Sequence, residues 1–136
     1  MTNAPFIDTN ILLRHFTGDD ADLSSRASAY LARIEAGEVK VHVPEFVLFE
    51  TIFILHRTYK KPRIIIRDVI NGLMNLAAVS VSGTRTFRRA LDIFVELNIS
   101  FADAYHVVLM ERLKLDEVVS FDTEFNRVPG ITRVEP

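Results

Sequence analysis

The sequence of 136 residues contains no cysteine. This absence excludes disulfides, a thiolate nucleophile and a zinc site built on sulfur. There is no glycine-rich phosphate loop, because Gly72, Gly83 and Gly130 stand alone. The longest apolar stretch, Phe46–Leu55, is interrupted by Glu50 and is too short to span a bilayer.

An excess of positive charge is also missing. The 16 Lys and Arg residues face 18 Asp and Glu residues, which gives a net charge of −2. This balance argues against a nucleic-acid binder that works through bulk charge. It does not exclude an enzyme that holds phosphate through bound cations. The segment Met1–Pro5 has no basic residue, so we expect no signal peptide and a cytoplasmic location.

The composition is that of a globular domain, with 49% hydrophobic and 25% charged residues. We expect one domain over residues 1–136, since no repeat or linker interrupts the chain. Strand patterns alternate with helix patterns, which predicts an α/β fold with a mostly parallel sheet covered on both faces. The predicted strands are 6–7, 39–43, 77–81, 117–120 and 131–134, and the predicted helices are 11–16, 23–35, 44–58, 63–76, 84–97, 100–115 and 122–125.

Three acidic residues lie where a predicted strand gives way to a helix or where a helix begins. Asp8 follows the first strand, Asp103 lies in the first turn after Ser100, and Asp122 closes an apolar strand. Each could simply cap its helix, and Ser100 with Asp103 resembles a capping box. In a parallel sheet such positions can also converge at one edge, where sites form in such folds.

Glu50 is different, because it lies in an apolar run. A helix through Phe46–Leu55 is apolar nearly all round, which predicts that it is buried. A buried carboxylate without a partner costs several kcal/mol, so it must be neutralised or bound to a cation. A salt bridge from a distant residue such as Arg14 is the alternative. Several carboxylates at one edge would need divalent cations, and oxygen-only ligands suit Mg²⁺ or Mn²⁺.

Four segments resemble the motifs of PIN-domain ribonucleases. The opening Phe6–Leu13 is similar to the apolar strand that runs into Asp-Thr-Asn, and Glu50 matches the second acid. The segment Ser100–Ala104 matches the third acid of the family, and Val118–Phe125 matches its closing segment. The resemblance covers nearly the whole chain, with the motifs in the family's order.

This resemblance implies a three-layer α/β/α sandwich and RNA cleavage that depends on Mg²⁺ or Mn²⁺. The chain is similar to VapC-type toxins, which form homodimers and are silenced by a small antitoxin protein. By this likeness the metal ligands and catalytic residues are Asp8, Glu50, Asp103 and Asp122. Asn10, Ser120 and Glu124 are supporting residues, with Glu124 as the alternative to Asp122.

Basic residues supply candidate contacts to RNA. Arg14, Lys60 and Lys61 are candidates for binding the phosphate backbone, and the alternative is a solvated surface. Two other functions remain open. The first is a phosphatase-like hydrolase with Asp8 as the nucleophile, although the expected second Asp is Asn10 here. The second is a PIN-like module that binds without catalysis.

Overall fold

The computed structural model describes residues 4–136. Met1–Asn3, part of the segment predicted not to be a signal peptide, lie outside the described residues. The described chain forms two compact units, one ending at Gly83 and the other beginning at Thr84. Within residues 4–136, no helix has both the length and the apolar character needed to cross a membrane.

The first unit contains four helices and two short strands. They are α1 (Thr9–Thr17), α2 (Ala21–Glu35), β1 (Val41–His42), α3 (Glu45–Arg57), α4 (Arg63–Met74) and β2 (Val79–Ser80). The sequence predicted each of these elements. The end of α1 at Gly18 is also as predicted, because this glycine adopts a left-handed conformation with φ of 66°.

The strands of the first unit pair in parallel. Val41 of β1 pairs with Val79 of β2, and Phe6 forms a parallel bridge to His42. The backbone N–H of Ile7 donates to the carbonyl of His42 at 2.9 Å. Asp8 therefore follows the carboxyl end of an extended segment, and α3 follows that of β1. The strands are shorter than predicted, and Pro44, which has no N–H to donate, directly precedes α3.

The helix α3 buries only one of its sides, although it is apolar nearly all round. Leu48, Ile52 and Leu55 are fully buried. Phe46 and Phe53 are instead 70% and 50% exposed. The prediction that this helix is buried on all sides is therefore wrong. The helix packs against α1 and α4, and these two neighbours cover only part of its surface.

The second unit contains two α-helices, two strands and a short 3₁₀-helix. They are α5 (Thr84–Glu96), α6 (Phe101–Leu113), β3 (Glu117–Val119), the 3₁₀-helix (Thr123–Arg127) and β4 (Thr132–Val134). β3 and β4 pair in parallel, with Val118 opposite Arg133. The parallel pairing in both units confirms the predicted α/β class.

Aromatic side chains fill the core between α5 and α6. The ring of Phe87 stacks on that of Phe101 with 5.8 Å between centroids, and Phe94 meets Phe101 edge-on at 6.0 Å. All three side chains are buried. Phe101 is the first residue of α6, so this packing fixes the start of the helix that carries Asp103.

Candidate metal centre

The start of α6 is capped from two directions. Ser100 is the N-cap, and its hydroxyl accepts a hydrogen bond from the backbone N–H of Asp103 at 3.1 Å. In a capping box the carboxylate of Asp103 would in turn accept a hydrogen bond from the backbone N–H of Ser100. Here Oε2 of Glu124 accepts from that N–H instead, at 2.7 Å. The carboxyl group of Asp103 therefore does not serve as the second half of the box.

The turn after β3 positions Asp122. The hydroxyl of Ser120 accepts a hydrogen bond from the backbone N–H of Asp122 at 2.9 Å. Asp122 in turn caps the 3₁₀-helix, because its Oδ1 accepts from the N–H of Glu124 at 2.9 Å. The capping role predicted as the alternative for Asp122 is therefore present. It occupies one carboxylate oxygen and leaves the other for further contacts.

Asp103, Asp122 and Glu124 form one acidic cluster. Each offers a carboxylate oxygen, and these atoms all lie within 4.8 Å of one another. The side chains differ in burial: Asp103 is 7% exposed, Glu124 is half-buried and Asp122 is exposed. Among the described residues, none forms a hydrogen bond with the buried Oδ2 of Asp103. A buried polar atom without a partner is costly, so this atom marks a place for a ligand.

Two members of the cluster shift each other's pKa in opposite directions. Burial, followed by a side-chain hydrogen bond with Asp122 and the charges of Asp122 and Glu124, raises the pKa of Asp103 to about 7. The hydrogen bond from Asp103 and the backbone N–H of Glu124 lower the pKa of Asp122. Of the two carboxyl groups, Asp103 therefore holds a proton more tightly than Asp122 does. A bound cation can take the place of the proton on Asp103, because its positive charge also stabilises the neighbouring carboxylates.

Two arginines that the sequence did not single out support Asp122. The charges of Arg127 and Arg133 contribute to lowering the pKa of Asp122. Arg133 also donates to the carbonyl of Ser120 at 3.1 Å and to Oδ1 of Asn126 at 3.2 Å. Arg133 thus ties the residues on both sides of Asp122 to β4. A residue more than ten positions away gives no local pattern by which the sequence could reveal this role.

The donor set fits a hard divalent cation. The cluster offers carboxylate oxygens without sulfur or imidazole, which suits Mg²⁺ or Mn²⁺ more than Zn²⁺. The unpartnered Oδ2 of Asp103 and the exposed side of Asp122 leave room for coordination. Residues of the cluster could therefore hold such an ion.

Three of the predicted residues line a cavity in the first unit. Asp8, Asn10 and Arg14 contribute to its wall, and its volume is about 650 Å³. Asp8 is the N-cap residue of α1, yet no N–H of the described helix donates to its side chain. The expected capping alternative is thus wrong for Asp8. Its exposed carboxylate remains available for another partner.

Glu50 does not have the environment that the sequence predicted. It lies on α3 near the exposed Phe46 and Phe53, and it is half-buried rather than enclosed. The argument that its apolar surroundings demand a cation is therefore wrong. The alternative salt bridge is also absent from the described residues, because Arg14 pairs with Asp19 at 3.0 Å. A metal-binding role for Glu50 stays a prediction from the family resemblance.

The buried acid is Asp103, and its position along α6 gives a signal that could have identified it. Asp103 precedes Val107 by four residues and Met110 by seven, which places the three on one helix face. Val107 and Met110 are buried. The apolar periodicity therefore indicates that Asp103 faces the core.

The two candidate lysines for RNA contact lie in different surroundings. Lys60 is exposed, in the segment between α3 and α4, with a positive φ of 52°. Lys61 is half-buried and lines a small cavity with Phe16 and Leu55. Lys60 has the freer ammonium group for a phosphate, whereas the stem of Lys61 covers apolar surface.

The family of this chain follows from the match of its sequence to a domain model. The PIN domain model matches residues 6–131, which include every acid discussed above. The chain belongs to the PIN domain family, and the resemblance stated from its motifs is confirmed.

Two known proteins are similar to this chain. The VapC ribonuclease of Aquifex aeolicus is 27% identical over 130 residues, which cover 96% of this chain and 95% of that protein. The crystal structure of the Mycobacterium tuberculosis toxin VapC20, which cleaves the sarcin-ricin loop, is 22% identical with a TM-score of 0.43. That match covers 98% of this chain and 100% of the other. The similarity to the VapC ribonuclease supports the resemblance to VapC-type toxins.

Proposed function

We propose that this protein is a metal-dependent endoribonuclease and the toxin of a type II toxin–antitoxin pair. The observation that carries the proposal is the acidic cluster of Asp103, Asp122 and Glu124, with the unpartnered Oδ2 of Asp103 inside it. Membership of the PIN family and similarity to a VapC ribonuclease support RNA as the substrate.

The residues of the cluster have distinct tasks in this proposal. Asp103 and Asp122 are metal ligands, and Glu124 is a third ligand that also holds the start of α6 through the N–H of Ser100. Ser120 fixes the backbone of Asp122. Asp8 and Glu50 are proposed as further ligands from the family resemblance, with Asn10 as a supporting residue near Asp8.

Mg²⁺ or Mn²⁺, when bound, lowers the pKa of a water molecule and neutralises charge that develops on the phosphodiester. Asp103, Asp122 and Glu124 would hold the ion by their carboxylate oxygens, and all three must be ionised to do so. Asp103, whose pKa is raised to about 7, therefore has to lose its proton when the ion binds. No side-chain nucleophile is needed for such a hydrolysis.

The remaining features of the proposal concern partners and location. Arg14 and Lys60 are proposed contacts to the RNA backbone, together with Lys61. A small antitoxin protein is the proposed inhibitor, and a homodimer is the proposed assembly. We further propose one functional domain over residues 1–136 and a cytoplasmic location, since VapC-like proteins act on RNA.

A cleavage assay tests the proposed function. Purified protein is incubated with total RNA in Mg²⁺, in Mn²⁺ and in EDTA, and the products are separated on a denaturing gel. We expect cleavage in both metals, none in EDTA, and none with Asp103→Asn or Asp8→Asn. Asp116→Asn is the matched control, because Asp116 is exposed and outside the cluster.

Two results would refute the proposal. The first is an absence of RNA cleavage by folded protein in either metal. The second is cleavage by Asp103→Asn at the rate of the parent. Circular dichroism of each variant establishes that the fold is intact before activity is compared.

A further inference from the structure

The turn that joins α3 to α4 carries three cations that no acidic side chain neutralises. Arg57, Lys60 and Lys61 lie close together in the sequence, and Arg57 and Lys60 are exposed. Among residues 4–136, none of the three forms an ion pair. We call residues 57–61 the cationic turn. Neighbouring like charges repel one another, so this turn favours a ligand that carries negative charge.

One acidic residue, Asp19, contacts the cationic turn, and its carboxylate oxygens already have other partners. Its Oδ2 accepts a hydrogen bond from the hydroxyl of Tyr59 at 2.6 Å, and its Oδ1 pairs with Arg14 at 3.0 Å. The charge of Arg14 therefore offsets the charge of Asp19. On the following helix, Asp68 lies 3.5 Å from the guanidinium group of Arg67. The cationic turn thus keeps its net positive charge.

Hydrogen bonds hold the backbone of the cationic turn. The N–H of Tyr59 donates to the carbonyl of Ile54 at 3.2 Å, and the N–H of Lys61 donates to the carbonyl of Leu55 at 2.9 Å. Pro62 follows directly, and its ring restricts the backbone at the start of α4. The cations therefore project from fixed backbone positions. Such preorganisation lowers the entropy that is lost when a ligand binds.

Lys60 has a backbone conformation that lysine rarely adopts. Its φ of 52° lies in the left-handed region, where the Cβ atom crowds the following carbonyl oxygen. Gly18 and Asn98 have the same conformation in this chain, and these residue types accept it more readily. Residues held in a sparsely populated conformation cluster at functional sites. The positive charge is the property that distinguishes lysine from glycine and asparagine at this position.

We propose that the cationic turn is a second anchor for the phosphate backbone of the RNA, at a distance from Asp8. The helix α3 begins where β1 ends, at the sheet edge where Asp8 also lies, and its 13 residues are about 20 Å long. A stacked strand rises about 3.4 Å per nucleotide, so about six nucleotides connect the two places. The inference rests on the proposed ribonuclease function and adds that the RNA extends from Asp8 to this turn.

The unpaired charges of the cationic turn favour RNA over an acidic peptide as the ligand. RNA carries a negative charge at every nucleotide, so one strand can neutralise several cations of the turn together. The guanidinium group of Arg57 also lies over the ring of Phe53, at 6.0 Å from its centroid. Phe53 is 50% exposed, so a base can stack beside the phosphate contact. A run of carboxylates would match the charge but would not use this ring.

Binding of RNA without cleavage tests this anchor separately from the enzyme activity. The probes are fluorescein-labelled oligouridylates of 16 and of 4 nucleotides, measured by fluorescence anisotropy in Mg²⁺. All proteins carry Asp103→Asn, so that the RNA stays intact. The test variant is Lys60→Asn, which suits the left-handed backbone and removes the charge. The matched control is Lys114→Asn, because Lys114 is also exposed, has a φ of 57° and is close in sequence to Glu111 and Asp116.

We expect Lys60→Asn to weaken binding of the 16-mer by about threefold or more and to lower the slope of log affinity against log salt by about 0.7, the value for one phosphate of a single strand. The ratio of the affinities for the 16-mer and the 4-mer should also fall, because the 4-mer cannot reach from Asp8 to the turn. Lys114→Asn should leave all three quantities unchanged. Neither variant should lower the melting temperature, because asparagine adopts the left-handed conformation more readily than lysine does.

The inference is overturned if Lys60→Asn binds the 16-mer as its parent does, or if Lys114→Asn weakens binding to the same extent. A fluorescein-labelled hexaglutamate peptide is the second probe. If this peptide binds the parent but not Lys60→Asn, while RNA binding is unchanged, the turn is a site for an acidic protein segment and the inference is rejected.

Failure of the anchor differs from failure of the proposed function. If the protein without Asp103→Asn cleaves RNA but its RNA binding does not depend on Lys60, the anchor alone is rejected. If RNA binding depends on Lys60 but the protein without Asp103→Asn cleaves no RNA in Mg²⁺ or Mn²⁺, the nuclease alone is rejected.

Discussion

Carboxylate oxygens of Asp103 and Asp122 lie within 4.8 Å of each other, where the start of a helix meets the turn after a strand. One of these groups is buried and the other is exposed. Burial disfavours the charge on Asp103 and raises its pKa, whereas the pKa of Asp122 is lowered, so Asp103 holds a proton more tightly than Asp122 does. This pair links the protonation of the free protein to its proposed metal binding.

The first prediction concerns the pH dependence of stability in EDTA. Because the pKa of Asp103 rises from 3.8 to about 7 on folding, its stabilising contribution is full below the unfolded value and is lost as the pH rises through about 7. The lowered pKa of Asp122 acts below its ordinary value and outside this window. We expect the melting temperature of Asp103→Asn to gain on that of the parent between about pH 5 and about pH 8. A difference in melting temperature that stays constant over this pH range would contradict the raised pKa of Asp103.

The second prediction is that metal stabilises the protein at neutral pH. A ligand that binds only the native state raises the free energy of unfolding by about 2.7 kcal/mol at a hundred times its dissociation constant. We expect Mn²⁺ and Mg²⁺ to raise the melting temperature of the parent and of Asp116→Asn. Asp122→Asn should respond less. An equal response of all three proteins would place the metal elsewhere, and no response in the parent would favour a module without catalysis.

The third prediction separates the two roles of Glu124. Glu124→Gln keeps a carbonyl oxygen that can accept from the N–H of Ser100, but it removes the charge. We expect nearly unchanged stability in EDTA and weaker metal binding, measured by titration calorimetry. Glu124→Ala should in addition lose about 1 kcal/mol or more of stability, because the N–H of Ser100 loses its partner. If Glu124→Gln binds metal like the parent, Glu124 is only a capping residue.

The fourth prediction concerns Glu50. Because it is half-buried and beside exposed rings, Glu50→Gln should change the free energy of unfolding by less than about 0.5 kcal/mol. If Glu50 is a ligand, RNA cleavage should fall by about tenfold or more. Glu96→Gln, at an exposed site on α5, is the control. Parent-like cleavage by Glu50→Gln would remove it from the proposed site.

The fifth prediction concerns Arg133, whose side chain is 14% exposed. Arg133→Ala leaves the carbonyl of Ser120 without this donor, so we expect a loss of about 1–3 kcal/mol in urea unfolding. Metal affinity should fall as well, since the segment that carries Asp122 is less constrained. Arg112→Ala, on the exposed side of α6, should change neither quantity. A loss of stability with unchanged metal affinity would limit Arg133 to a structural role.

Local sequence patterns predicted the helices and strands well. They did not predict the burial of Glu50 or the contact between Ser100 and Glu124, because both depend on tertiary packing. The strand ends and helix starts around Asp8, Asp103 and Asp122 follow from apolar runs and capping residues. The burial of Glu50 was predicted wrongly, because α3 is apolar on all sides and its sequence does not say which side meets α1 and α4. The backbone N–H of Ser100 donates to Glu124 instead of Asp103, and Glu124 lies 24 residues away. Local spacing cannot reveal such a contact.

The uncapped start of α1 has a consequence for attempts to improve this protein. An N-cap side chain that accepts a backbone hydrogen bond contributes about 1 kcal/mol, and Asp8 forgoes this contribution. A serine at position 8 could close that bond and strengthen the helix while removing a proposed ligand. If Asp8 is a metal ligand, as proposed, directed evolution that selects for heat resistance alone would enrich inactive proteins at this position, and a screen has to measure RNA cleavage together with melting temperature.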